Sequence, residues 1–85
     1  MVYAVMICWC YDNGDTSTEI LDICSTKEKA QACLKLNAEF DWAEGWEFLN
    51  LDKNELDYYE WTDDYYDVQY GAMRTTIYIE EKELK

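Results

Sequence analysis

Histidine and proline are both absent from this chain, arginine occurs once and glycine three times. Without histidine, the four cysteines have no imidazole to draw off a thiol proton, so the usual pairing for nucleophilic catalysis cannot be assembled. The scattered glycines form no phosphate-cradling loop. No apolar run approaches the ~20 residues of a membrane span. Met1 to Cys10 is apolar, but no basic stretch precedes it and no small-residue cleavage motif follows. Together these absences predict a cytoplasmic, non-enzymatic protein with no catalytic residues, no bound metal and no cofactor. Its thiols are expected to be free and buried rather than bridged. Positive charge is also scarce, with 7 Lys and Arg against 19 Asp and Glu and a net charge of −12. Coulomb repulsion then opposes direct binding to nucleic acid or to anionic membrane. Basic surfaces on other proteins are the natural complement.

What is present is concentrated. The stretch from Asp41 to Tyr70 holds ten acids and one base, a balance of 1 − 10 = −9. Interleaved with the acids are Trp42, Trp46, Phe48, Tyr58, Tyr59, Trp61, Tyr65, Tyr66 and Tyr70. Disordered acidic tails lack such rings, and ordinary solvated faces mix both signs of charge. Eighty-five residues suit one domain with a modest core. The self-repulsion of its acids predicts that added salt or a cationic partner stabilises it.

Val2 to Tyr11 reads as a strand apolar on both faces, which predicts an interior position in a sheet. Asp12-Asn13-Gly14-Asp15 is a turn signal, and Thr18 to Cys24 is the returning strand. Ser25 as N-cap with Glu28 three residues on forms a capping box that predicts a helix from Thr26 to Ala43. The apolar stripe of that helix would be Ala30, Cys33, Leu34, Leu36 or Asn37, and Phe40, with Gly45 as its stop. Residues Trp46 to Leu51 suit a short strand or an ordered connection. Asp52 and Glu55 repeat the capping pattern, so a second helix from Lys53 to Tyr70, stopped by Gly71, is expected. A broken helix or a hairpin strand at Tyr65 to Tyr70 remains open, because Tyr, Trp and Asp are mediocre helix formers. Arg74 to Glu81 alternates as a last strand, with a frayed tail from Lys82 to Lys85. The expected fold is α+β: a three-stranded antiparallel sheet, one helix on a face, and an acidic helical or irregular lobe.

Two metal patterns are weak. Cys8 and Cys10 share a strand face, and Cys24 and Cys33 come near if the helix covers that face. Cys-x-Cys on a strand is nonetheless atypical for zinc. Asp12, Asn13, Asp15 and Glu19 miss the calcium-loop spacing, and turn chemistry accounts for them.

The acidic-aromatic stretch is different, since a small core cannot easily bury fourteen aromatics. Rings exposed among acids are the residue types of interface anchors. Duplex DNA carries one negative charge per ~1.7 Å of axis. Carboxylates three or four apart on a helix recur every ~5–6 Å. On the helical reading, Asp57, Glu60, Asp64 and Asp67 form such a row, flanked by Tyr58, Trp61 and Tyr65. The expected partner-binding residues are therefore Asp57, Tyr58, Glu60, Trp61, Asp63, Asp64, Tyr65 and Asp67. They would present a nucleic-acid mimic to a basic, nucleic-acid-binding protein. The competing expectation is a protein–protein interaction module or small homo-oligomer that packs its rings on another chain.

The order strand, Asn-Gly turn, strand, then ICSTKEKAQACL, with a terminal YIEEKEL, resembles a group of small phage and prophage proteins of unknown function. The resemblance covers Val2 to Leu36 and Ile77 to Leu84 and does not extend to Asp41–Tyr70. It implies a phage origin and a ββαβ scaffold, and no activity. By analogy with other small acidic phage proteins, it is consistent with an inhibitor of host defence, of anti-CRISPR or anti-restriction type.

Overall fold

The computed structural model describes residues 1–11, 14–46 and 53–83. The first strand, β1 (Val2–Cys10), turns back into β2 (Thr16–Cys24). The helix α1 (Lys27–Asp41) follows and runs on into a π-helical turn at Trp42–Trp46. After a 3-10 turn at Lys53–Glu55 come β3 (Tyr58–Trp61), β4 (Tyr65–Tyr70) and β5 (Met73–Lys82). The strands make one antiparallel sheet in the order β2-β1-β5-β4-β3. The turn residues Asp12 and Asn13, the connection from 47 to 52 and the last two residues lie outside the described residues, and with them much of the expected strand or connection at Trp46 to Leu51.

The α+β class holds, but the sheet has five strands where three were expected. The stretch expected to be a second helix or an irregular lobe is the hairpin β3–β4. Its tip is Thr62 to Tyr65, closed by the Thr62 amide donating to the Tyr65 carbonyl at 2.7 Å. Gly71 does not stop a helix. It opens the two-residue turn between the paired Tyr70 and Met73, with φ of 59°, a left-handed value typical of tight hairpins.

This order dictates the path of the helix. β2 and β3 are opposite edges, so the segment joining them must cross the whole sheet. Four inter-strand gaps of ~4.8 Å make about 19 Å. Fifteen helical residues at ~1.5 Å each make about 22 Å, enough for the crossing. The N-cap is Thr26, whose hydroxyl accepts from the Lys29 amide at 3.2 Å. The expected N-cap at Ser25 moves on by one residue, which puts Lys29 rather than Glu28 at the third helical position, so the capping box expected from Ser25 and Glu28 does not form.

The helix covers the face formed by Val5, Ile7, Tyr66, Val68 and Ile77, with Tyr3, Trp9, Tyr59, Trp61 and Ile79 around them. Ala30, Leu34 and Ala38 point into this core. Two of the three are alanines, so the gap to the sheet is filled by large side chains from the strands and by Trp46. The expected stripe is corrected in phase: Leu36 and Phe40 are each 68% exposed, because the close approach uses the alanine side of the helix. In β2, Leu21 has no partner in β1: Val5 pairs with Asp22, and Met6 pairs with Ile20. This bulge puts Ile20 and Ile23 opposite Met6 and Ala4 on the uncovered face. Among the described residues no helix is long and apolar enough to cross a membrane.

Asp41 ties the end of the helix to the sheet. Its Oδ2 accepts from the Tyr66 hydroxyl at 2.8 Å and from Trp46 Nε1 at 2.9 Å. Burial raises its carboxyl above the ordinary value, and the two hydrogen bonds oppose that rise. Burial also pushes the Tyr66 hydroxyl up, helped by the Asp41 charge. Asp41→Ala orphans two buried donors at roughly 1–3 kcal/mol each, so a loss of about 2–5 kcal/mol is expected in urea denaturation. Asp41→Asn should lose far less, since both donors converge on one oxygen and a carboxamide supplies one. The folded state holds the Asp41 proton more tightly than the unfolded chain. This group's share of stability is therefore full in acid and is lost as pH rises from the ordinary carboxylate range through the raised folded value. Asp41→Asn should remove that slope.

Candidate functional site

Strand alternation sorts the acidic-aromatic stretch onto two faces. On β3 and β4, Tyr59, Trp61, Tyr66 and Val68 turn toward the helix. Tyr58, Glu60, Tyr65, Asp67 and Gln69 turn toward the uncovered face, where Tyr58 stands opposite Gln69 and Glu60 opposite Asp67. The expected helical row of Asp57, Glu60, Asp64 and Asp67 does not form. Nor do Tyr58, Trp61 and Tyr65 make one stripe, because Trp61 lies on the helix side.

Asp67 is wholly buried although it lies on the uncovered face. Arg74, the chain's one arginine, grips it with two hydrogen bonds, from Nε to Oδ1 at 2.9 Å and from its Nη2 to Oδ2. Thr76 donates to Oδ1 at 3.3 Å and the Tyr65 hydroxyl to Oδ2 at 3.1 Å. The hydrogen bonds to Asp67 hold the Arg74 proton more firmly than usual. Burial raises the Tyr65 hydroxyl, and its bond to Asp67 adds to the rise. Expected as a partner-facing acid, Asp67 is instead the anchor of a polar cluster that lets the open face exist. Tyr65 belongs to that cluster, half-buried.

Asp64 is also engaged within the fold. At the hairpin tip it accepts from Gln31 Nε2 at 2.7 Å and pairs loosely with Lys27 at 3.8 Å, fastening the tip to the first two turns of the helix.

What remains at the solvent edge is smaller than the expected set. Asp57 is exposed and accepts from the Gly71 amide at 2.6 Å. Tyr58 is 44% exposed and donates to Glu60 Oε2. That hydrogen bond, first among several causes, raises the Tyr58 hydroxyl. Asp63 is exposed at the tip. Since β3 is an edge strand, these groups form an acidic rim along one side of the sheet. Beside the rim, Tyr59, Trp61, Thr62 and Asp63 line a cleft of about 400 Å³ whose far wall is Lys35. Both rings are braced from behind. Trp61 meets Tyr66 edge to face at 5.1 Å between ring centres, and Tyr59 meets Trp42 at 5.5 Å.

The cysteines do not converge. Cys8 and Cys10 lie on the open face, while Cys24 and Cys33 pack on the helix side. All four are free, and burial raises the Cys24 and Cys33 thiols. Among the described residues no group of three metal-ligating side chains comes together. Comparison with protein-family models, with curated proteins and with solved structures finds no match to this chain.

Arg74→Met leaves a buried carboxylate without its counter-ion, an arrangement that costs about 3–5 kcal/mol when the pair is fully enclosed. Because Arg74 is itself partly exposed, the lower end of that range is expected in urea denaturation. Adding Asp67→Asn to the same variant should restore most of the loss, since the carboxamide oxygen accepts from one of the Tyr65 and Thr76 hydroxyls, its N–H donates to the other, and no charge is left to compensate.

Proposed function

We propose that this protein is a non-enzymatic binding module. It engages a basic, nucleic-acid-binding protein with the acidic rim of the β3–β4 hairpin and keeps nucleic acid from the same surface. The observation that carries this reading is the rim itself. Asp57, Glu60 and Asp63 gather along and beside a short edge strand next to the exposed ring of Tyr58, on a chain of net charge −12. Complementary charge at that density speeds encounter with cationic surfaces and rejects anionic ones. A partner whose basic groups otherwise hold a phosphate backbone offers the matching surface. A phage-type inhibitor of a host defence nucleoprotein or nuclease, working in the host cytoplasm, is the specific form of this reading. The carboxylates form no extended row of phosphate-like charges; they would occupy a basic patch instead.

A second reading is favoured by the uncovered sheet face. Ile20 and Ile23 are 54% and 58% exposed there, with Met6, Tyr65 and Tyr78 half-buried beside them. A second copy would cover them and make a homo-oligomer. Repulsion between two chains of −12 opposes that association except at high salt.

The triple variant Asp57→Asn, Glu60→Gln, Asp63→Asn keeps one acceptor oxygen at each position and removes three charges. Its affinity for a hexa-lysine peptide at low salt should fall by about tenfold, with a shallower salt dependence. Proteins captured on the wild type from a bacterial lysate should include a nucleic-acid-binding protein that leaves at high salt, is displaced by duplex DNA or RNA, and is missed by the triple variant. Undiminished binding by the triple variant would overturn the rim. Sedimentation showing association that strengthens with salt would favour the oligomer.

A further inference from the structure

We infer that the cleft beside the rim is a receptor for a guanidinium group, so that the protein selects partners presenting an arginine rather than a lysine. The inference rests on the binding-module reading and names the side chain that seats in it.

Tyr59 and Trp61 are two residues apart on the same side of β3, beyond which no strand pairs among the described residues. A ring exposed on an edge is ordinarily free to change rotamer. Here Trp42 and Tyr66 stand behind them in edge-to-face contact at interplanar angles of 76° and 82°, so the orientation of both walls is set before any guest arrives. Preorganisation of this kind lowers the entropic cost of binding. Asp63 and Thr62 line the same cleft and bring a carboxylate and a hydroxyl to it. Flat aromatic walls with a carboxylate at the rim match a planar, delocalised cation. The guanidinium stacks on a ring and offers a fork of N–H donors to the carboxylate. A lysine ammonium is a compact, strongly hydrated point charge and gains less from the same walls. The volume, about 400 Å³, admits one such side chain with water. Lys35 is the one cation among the described residues lining the cleft, and it acts as a tethered competitor that a stacked guanidinium displaces.

The test compares hexa-arginine and hexa-lysine peptides of equal charge by titration calorimetry. Wild type should bind the arginine peptide about three- to fivefold more tightly, the scale of one partly exposed cation–π contact. Trp61→Leu should abolish this preference by lowering hexa-arginine affinity more than hexa-lysine affinity. Trp61 packs on Tyr66, so its loss also weakens the core; Lys35→Gln, at an exposed helix position, carries no such burden. It should raise the arginine preference above the wild-type value by freeing the rings and Asp63. Equal affinities for the two peptides in the wild type, or a preference unmoved by Lys35→Gln, overturn the receptor. The acidic rim has a separate readout. It fails if hexa-lysine affinity is the same in the wild type and in the rim triple variant, whatever the arginine preference does.

Discussion

One helix can cover one face of a sheet, and in this protein it must also join the two outer edges of that sheet. Most of the remaining architecture answers to that constraint. The covered face takes the large side chains, and alanines on the helix let the two layers approach. The other face stays in water, so its interior residues must be small or fully hydrogen-bonded. Ala4 is buried there simply by its neighbours. Asp67 is buried there because Arg74, Thr76 and Tyr65 satisfy it. The interleaving of rings and acids in this stretch is thus partly strand alternation: rings inward toward the helix, and hydroxyl–carboxylate pairs outward.

The charge pattern follows from the same division. The single arginine is consumed by Asp67, and Lys27 with Gln31 pins Asp64. Asp41, the first acid of the stretch, holds Tyr66 and Trp46 together at the end of the helix. Three acids of a segment that looks uniformly outward-facing in sequence are therefore structural. Of the acids left over, Asp57, Glu60 and Asp63 lie along or beside one edge, while Glu28, Glu39, Glu44, Glu80 and Glu81 are exposed elsewhere, so the rim is one part of a wider anionic surface.

Much of the scaffold was legible in the residues. The doubly apolar run Val2–Cys10 sits between β2 and β5, as a strand without a polar face should. The helix start was read to within a residue, and the last strand was read from its Thr-Ile-Tyr alternation. The β3–β4 hairpin was legible only in part: a strand at Tyr65 to Tyr70 stood as the alternative to the helix and is β4, whereas β3 was not read, for a physical reason. Acids spaced three and four apart fit a helical row, yet such a row would repel itself in the interior of a helix. Tyr and Trp favour a pleated surface, and Thr62-Asp63-Asp64 is a turn. Once that segment is a hairpin, Asp67 and Trp61 exchange their expected positions, one from surface to interior and the other from an acid-flanked stripe to a cleft wall. The buried Asp67–Arg74 pair had a sequence signal in principle: a lone arginine beside an excess of acids has to serve one of them. Which acid that is depends on the register between β4 and β5, and pairing across a sheet is not written in local sequence.

Acids on an edge strand have a plainer use, since they deter edge-to-edge pairing with other chains. The two edges of this sheet allow that use to be weighed. β2 is the long edge, nine residues, and is guarded by its bulge and by Glu19 and Asp22. β3 has four residues and needs less protection, because a short edge is already a poor template for pairing. It nevertheless has Asp57, Glu60 and Asp63 on or beside it, an exposed tyrosine, and two braced rings opening on a cleft. Protection alone accounts for β2 and leaves the density of features at β3 in excess. That excess, on the edge with the least need of a guard, is the strongest physical reason to regard the rim of the β3–β4 hairpin as the working surface of the molecule.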